Sequence, residues 1–377
     1  MQREQLRAVF STFEDLTDPR RDHNRLHDLF DIVVIALCGS LAGCDDWVDV
    51  QRFAKARYTF LRRFLKLKNG IPSDDTFRRV FQLLDTAEFM ECVRTWMAKF
   101  TPINPSHLAM DGKTICGSAD ENRQALRMVT AWAVENRVVF SQAIVPEESN
   151  EIPAMLELIK KMNLKGSTVT IDAIGCQHEI VEAICDRQGD FVVSVKGNQP
   201  KLHDAIKEHF DRWADKDFKH SDFRQYEVVE TKGDVEITRH YVTAKVPPSI
   251  SYLWPDAKTI GMVTTTRDDP SSEDLQGGQR YYLSSQNNQV KRFATLVRDH
   301  WKIENELHWS LDVTFGEDRH QMKKLNGPLN CAVLRRLSLS LLKRDTSIRD
   351  NMKGKRTYAA LDENILLTLL QGFKAKK

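Results

Sequence analysis

The sequence predicts an α/β fold in which a helical N-terminal domain precedes a mixed-sheet core, and a β-rich insertion interrupts that core. Three observations predict it. Up to about residue 105 the apolar residues keep helical spacing. From Ser106 to Val195, short β-branched runs and helical stretches follow in the order β-β-β-α-β-α-β. Between about residues 200 and 285 that alternation gives way to hairpin-like patterns.

Composition bounds the function classes. At 377 residues the chain is long enough for two or three domains, and with 41% hydrophobic and 29% charged residues wholesale disorder is excluded. A net charge of +2 neither favours nor excludes nucleic acid, so the distribution of charge has to be read instead. The longest apolar run, Ile32 to Cys44, is too short to span a bilayer, and the opening Met-Gln-Arg-Glu-Gln-Leu-Arg has no signal-peptide character. A soluble cytoplasmic protein without a membrane partner is expected. Seven cysteines are scattered singly, which excludes a zinc site of C-x-x-C type and a disulfide framework.

In the N-terminal part, Leu26 to Leu41 is apolar with helical phase, and Trp47 to Leu67 reads as a second long helix. Ser73-Asp-Asp-Thr offers capping side chains ahead of Phe77, Val80, Phe81 and Leu84, so a third helix starts there. Gln51 to Lys68 carries Arg52, Lys55, Arg57, Arg62, Arg63, Lys66 and Lys68 with no acid among them. Such a field suits phosphates, although one basic helix by itself is slightly better explained as a solvated face with acids elsewhere. A second cluster, Arg20, Arg21, His23, Arg25 and His27, tips the balance towards DNA.

The core opens with Leu108-Ala-Met-Asp-Gly-Lys113, read as a buried strand that ends on Asp111 and turns at Gly112. Met128 to Val134 and Val138 to Val145, parted by Glu135-Asn136-Arg137, form a hairpin pattern. A helix over Ile152 to Met162, the strand Ser167 to Asp172, a helix over Gln177 to Arg187 and the strand Phe191 to Val195 follow. This layout is that of a ribonuclease-H-like core, with helices packed on a mixed sheet. In the insertion, a helix from Lys201 to Trp213 leads to a hairpin about Lys232-Gly233-Asp234, strands at Thr259 to Thr265 and Arg280 to Ser284, and a loop from Asp268 to Gly278. Helical residues resume from Val290 to Trp309 and from about Pro328 to Lys343. Arg335 to Arg356 holds eight basic residues and two acids. The predicted domains are therefore residues 1–105, expected to carry DNA contacts, a catalytic domain at 106–345, and a basic C-terminal tail at 346–377.

The chemistry-bearing residues are acids. One aspartate at a strand end is commonly a turn residue, but Asp111 and Asp172, 61 residues apart on strands expected to be neighbours, would be set together by a sheet. A third acid is open among Glu304, Glu306, Glu317 and Asp318. Helical phase puts Glu304 beside Trp301, Leu307, His308 and Leu311, and Glu306 beside Lys302 and Ser310, which favours Glu304. For Trp301 and Trp309, core packing is expected ahead of stacking on an unpaired base.

Four motifs add a resemblance. Ala-Met-Asp-Gly-Lys-Thr at 109–114, Thr-Ile-Asp-Ala-Ile-Gly-Cys-Gln at 170–177, Val-Lys-Gly-Asn-Gln at 195–199 and His-Trp-Lys-Ile-Glu-Asn-Glu-Leu-His-Trp-Ser-Leu-Asp-Val at 300–313 resemble the H-repeat-associated family of insertion-sequence transposases, within the Asp-Asp-Glu (DDE) recombinases. The similarity runs from about Asp18 to Lys343 and takes in Asn69-Gly-Ile-Pro-Ser-Asp-Asp-Thr76. It implies a catalytic, metal-holding triad of Asp111, Asp172 and Glu304, with the β-rich insertion between the second and third acids. Related transposases often carry Tyr, Arg and Lys around the glutamate; here Val297, His300 and Leu311 or Asp312 stand near those positions, and His300 and His308 are candidate phosphate donors instead.

Carboxylate ligands without histidine or thiolate suit Mg²⁺, with two ions expected and Mn²⁺ a substitute. The expected DNA contacts are Arg52, Lys55, Arg62, Arg63, Lys113, Lys196, His300 and His308. The leading expectation is a transposase acting as a dimer or larger assembly on its element's terminal repeats and on target DNA. A transposase-derived DNA-binding protein that no longer cuts, and a stand-alone metal-dependent nuclease, are the competing readings.

Overall fold

The computed structural model describes residues 7–99, 104–119, 121, 124–268 and 276–371. Packing groups the chain into two compact units that do not follow its linear order. One comprises Met1–Ile103, Gly112–Glu148 and Glu304–Lys377, and the other Asn104–Asp111 and Ser149–Ile303.

The first unit is mainly helical. Its centre holds helix Leu29–Leu41, every residue of which is buried, and helix Gly327–Arg344, buried from Gly327 to Leu342. The mostly apolar surface of the first helix has to lie in the interior, and Asp28 starts that helix by accepting from the Phe30 N–H. Helix Asp74–Leu83 begins where its capping residues predict, with Ser73 accepting from the Thr76 N–H and Phe77, Val80 and Phe81 buried. The expected long helix from Trp47 to Leu67 is instead two pieces, Trp47–Ala56 and Tyr58–Leu61. The break falls at Arg57, ahead of an aromatic and β-branched run that favours helix poorly. Arg57 there donates to the carbonyls of Ala360 and Leu361. The hairpin of β2 (Leu126–Ala133) and β3 (Val138–Val145) is antiparallel as its period-two pattern predicts, and Arg137 takes the left-handed turn position with φ 55°.

The second unit is a mixed sheet. The first half of β1 (His107–Ile115) runs parallel to β4 (Thr168–Ile171), which runs parallel to β5 (Asp190–Val195). Antiparallel strands β9 (Gln276–Ser284), β8 (Thr259–Asp268), β7 (Val235–Lys245) and β6 (Phe223–Lys232) continue outward from β5, and β6 is last. The β-rich insertion is thus a continuation of the core sheet. Helix Val290–His300 covers it, with Phe293, Leu296 and Val297 against Val192, Tyr241, Val263 and Tyr282. Gly261 makes room for that contact, because a Cβ there would meet the Phe293 ring at 2.3 Å. The β6 to β7 turn is centred on Gly233, φ 64°, as expected. Most of the loop expected from Asp268 to Gly278 lies outside the described residues. The order β-β-β-α-β-α-β, with β1, β4 and β5 parallel, is the ribonuclease-H-like layout.

One expectation needs correction. β1 does not end at Asp111 but runs on to Ile115, because its other edge continues in the β1–β2 pairing after the ladder with β4 has stopped at Met110. The basic C-terminal tail, in which Leu361 to Phe373 reads as a final helix, holds two helices. Helices Met352–Leu361 and Glu363–Leu370 are packed into the first unit, with Lys355 and Arg356 buried. No helix among the described residues is long and apolar enough to cross a membrane.

Candidate active site

The parallel ladder of β1 and β4 pairs His107 with Thr168 and Met110 with Ile171. One step further, the same register sets Asp111 opposite Asp172. The chain turns immediately after Asp172 into a single 3₁₀ turn, Ala173–Gly175, and Asp172 caps it by accepting from the Ala173 N–H at 2.6 Å. Only glycine fits the third position, since a Cβ on Gly175 would lie 2.3 Å from Cγ2 of Ile171.

The Val-Lys-Gly-Asn-Gln segment at the end of β5 braces that turn. Ser194 donates to Asp172 Oδ1 at 2.7 Å, and the Lys196 ammonium lies 3.1 and 3.2 Å from its two oxygens. Asn198 and Gln199 donate to the carbonyls of Ala173 and Cys176. Burial pushes the Asp172 carboxyl up, but the hydrogen bonds from Ser194, Ala173 and Lys196 outweigh it and hold the group below the usual carboxylate range. Asp172 is therefore an anion with a cation already on it.

Beneath it, Thr170 Oγ1 lies 3.0 Å from His300 Nδ1 and 2.9 Å from His107 Nε2. Burial lowers both histidines, His300 to about 4 and His107 to about 3, so both are neutral near pH 7. His300, expected as a phosphate donor, is a half-buried ring tied to the Asp172 strand.

Glu304 lies on a π-helical turn, Ile303–His308, directly after helix Val290–His300. The wider turn shifts the phase that α-helical spacing predicts. Ile303, Leu307 and Leu311 are buried while Glu304 is exposed, and His308 is half-buried. The three rival acids are each engaged inside the first unit. Glu306 pairs with Arg137 at 3.3 Å, Glu317 is fully buried on Arg336 at 2.7 Å, and Asp318 accepts from the Cys116 N–H. Lys113, expected at a phosphate, is buried, 2.8 Å from Asp312 and 3.8 Å from Asp318, so its charge is matched within the fold. Trp309, expected in the core, is 57% exposed; Trp301 lies under the Arg280 guanidinium, 4.6 Å from its ring centroid.

Of the basic helix, Arg63 pairs weakly with Glu363 and Arg52 with Asp49, while Lys55 and Arg62 are exposed. Asp18 takes up Arg20 and Arg25. The acids missing from Gln51 to Lys68 are supplied in part by distant segments, as the solvated-face reading anticipates. The bracing of Asp172 by Ser194, Asn198 and Gln199 was missed from sequence; the polar run after β5 was its only signal.

A mixed α/β sheet that sets two aspartates on adjacent parallel strands defines a class of carboxylate-based site, and similarity to known proteins says which. Residues 102–341 match the family model described as "Transposase DDE domain", and residues 10–97 match "DDE_Tnp_1-associated". The chain is 33% identical to "Putative transposase YncI" of Escherichia coli O157:H7 over 99% of its own length and 98% of that protein's. It is 30% identical to "H repeat-associated putative transposase YhhI" of Escherichia coli (strain K12), over 98% and 99% of the two chains. A solved piggyBac transposase synaptic complex with hairpin DNA aligns at 12% identity and a TM-score of 0.42, over 98% of this chain and 81% of that one, too remote to enter the argument. The chain belongs to the DDE transposase family, together with its H-repeat-associated members.

Members of this family use divalent metal ions. Among the described residues no group of three or more His, Cys, Asp or Glu side chains is gathered as a ready metal cage. The donor chemistry nevertheless fits: two hard carboxylates at neighbouring strand positions, one of them already neutralised by an ammonium group.

Proposed function

We propose that the chain cleaves phosphodiester bonds at the ends of a DNA element and joins the freed 3′ ends to target DNA, with Asp111, Asp172 and Glu304 as catalytic carboxylates. The observation that supports this reading is the register of β1 on β4, whose last pair, Met110 with Ile171, immediately precedes Asp111 and Asp172. Asp111, Asp172 and Glu304 would hold two Mg²⁺, or Mn²⁺ in their place, which when bound supply activation of the attacking oxygen and stabilisation of the leaving one.

The chain's own groups prepare for that. Ser194 and the Ala173 N–H orient Asp172 and keep it ionised, and Gly175 lets the turn close beneath it. Lys196 neutralises Asp172, and if Asp172 held a metal ion the ammonium would be available to a phosphate oxygen. Neutral His300 and His107 fix β4 through Thr170. Residues 1–105 are proposed as a DNA-binding domain that meets the terminal repeats through Arg52, Lys55, Arg62 and Arg63, and two or more copies would engage the two ends.

The test is purified protein with Mg²⁺ and a duplex bearing the element's end. Wild type is expected to nick at the element boundary and join, and Asp111→Ala to bind while losing all but roughly a thousandth of the nicking rate. Binding without breakage by wild type would replace this reading with that of a non-cutting DNA-binding protein, and cleavage without end preference or joining would make it a nuclease.

A further inference from the structure

Within the first unit, a cleft of about 1080 Å³ opens between the start of helix Trp47–Ala56, helix Asp74–Leu83 and the segment leading into helix Gly327–Arg344. Six cationic side chains line it, Arg78, Arg79, Arg319, Lys323, Lys324 and Arg335, against three acids. Each acid already has a partner. Asp45 accepts from Arg356, Asp46 caps its helix through the Asp49 N–H, and Asp75 pairs with Arg78 and Arg79.

Arg335 differs from the others. It is 6% exposed, it makes no hydrogen bond or ion pair with any described residue, and its Nη1 is buried without an acceptor. Its neighbour Arg336 shows what a buried arginine in this helix otherwise requires, a carboxylate, supplied by Glu317 at 2.7 Å. An uncompensated guanidinium in the interior is among the most unfavourable arrangements a fold can keep. The Arg335 charge is felt locally: after burial, it is the cause that lowers His320 to about 3, so that ring beside it is neutral and offers no counter-charge. A second donor is orphaned in the same cleft. The Trp47 Nε1–H is buried without an acceptor, while its ring is fixed against Phe77 and Phe81 at centroid distances of 5.9 and 4.7 Å.

We infer that this cleft binds the sugar-phosphate backbone of DNA, with one phosphate seated on Arg335 and Trp47 and its neighbours met by the lysines and arginines of the rim. A phosphodiester supplies the missing charge and the missing acceptors together, and a guanidinium can grip it through two parallel hydrogen bonds. A single small anion would engage only one point of this extended basic lining; a strand of phosphates would follow its length. The inference rests on the DNA-processing function proposed above, but uses residues other than the three acids and outside the basic stretch Gln51 to Lys68.

The experiment is fluorescence anisotropy of a labelled duplex of arbitrary sequence, titrated with the full chain at several salt concentrations. Arg335→Met is expected to bind about tenfold more weakly and to lower the slope of log K against log salt by about 1. Trp47→Phe, which keeps the packed ring and deletes only the donor, is expected to lose about threefold and decides the matter if Arg335→Met does not fold. Wild-type affinity and salt slope in both variants would overturn the inference while leaving the function intact. Failure of the wild type to bind the duplex at all would bring down both.

Discussion

Lys196 sets an ammonium group on both oxygens of Asp172, and a metal ion would have to take its place. The pair is half-exposed, at 59% and 49% for the two side chains, so the competition is mild. Lys196→Gln removes the competitor and is expected to lower the Mg²⁺ concentration for half-saturation by about two- to fivefold, read by isothermal titration calorimetry without DNA. A rise instead would mean that the lysine helps to gather the site. The motif containing Lys196 was visible in the sequence, but its work was not, because nothing in Val-Lys-Gly-Asn-Gln says which carboxylate the lysine will meet. Lys113 shows the converse. A lysine two residues after Asp111, proposed as a catalytic carboxylate, invites a phosphate, yet Asp312 and Asp318, about two hundred residues later in the chain, take up its charge.

At the scale of elements, the pairing of β1 with β4 ties the aspartates to buried His107 and half-buried His300. His107 and His300 have a reference value of 6.5 but stay unprotonated in the folded chain down to about 3 and about 4. The unfolded chain therefore binds more protons below about pH 6.5, so stability is full above that pH and is lost as pH falls towards 4. For fully buried His107 the slope is of order 1.4 kcal/mol per pH unit. Urea unfolding of His107→Gln, whose amide can still meet Thr170, is expected to depend less steeply on pH between 6.5 and 4; parallel profiles would refute this. Elements whose periodicity and turn chemistry agree were legible in the sequence, as with β2–β3, β6–β7 and the helix behind Ser73. Those decided by a neighbour were not. β1 outlasts Asp111 through its pairing with β2, and the π turn at Glu304 breaks the 100° phase on which the face assignment depended. Trp309, which follows that turn, is expected in the core as a tryptophan on an apolar helix and lies at the surface.

Across the whole molecule, the order of strands was readable because alternating α and β stretches leave few topologies. The grouping of helices was not, since it brings together residues three hundred positions apart. Arg356 donates to the carbonyls of Ser40 and Thr314 and to Asp45, and Lys355 to the carbonyl of Leu342. What composition presents as a basic tail is thus a fastening for the first unit. Ending the chain after Asp350 is expected to lower the melting temperature by roughly 5 °C or more; a segment serving only to bind DNA would leave it unchanged. The outermost strand of the second unit has a consequence for self-association. Among the described residues, β6 leaves one side of ten residues of backbone without a strand partner, the kind of border on which a further copy can polymerise. Arg224, Glu227 and Lys232 stand exposed along it, so any incoming strand would have to bring hydrated charges into close contact. Replacing that alternation by apolar residues would turn a guarded border into an adhesive one.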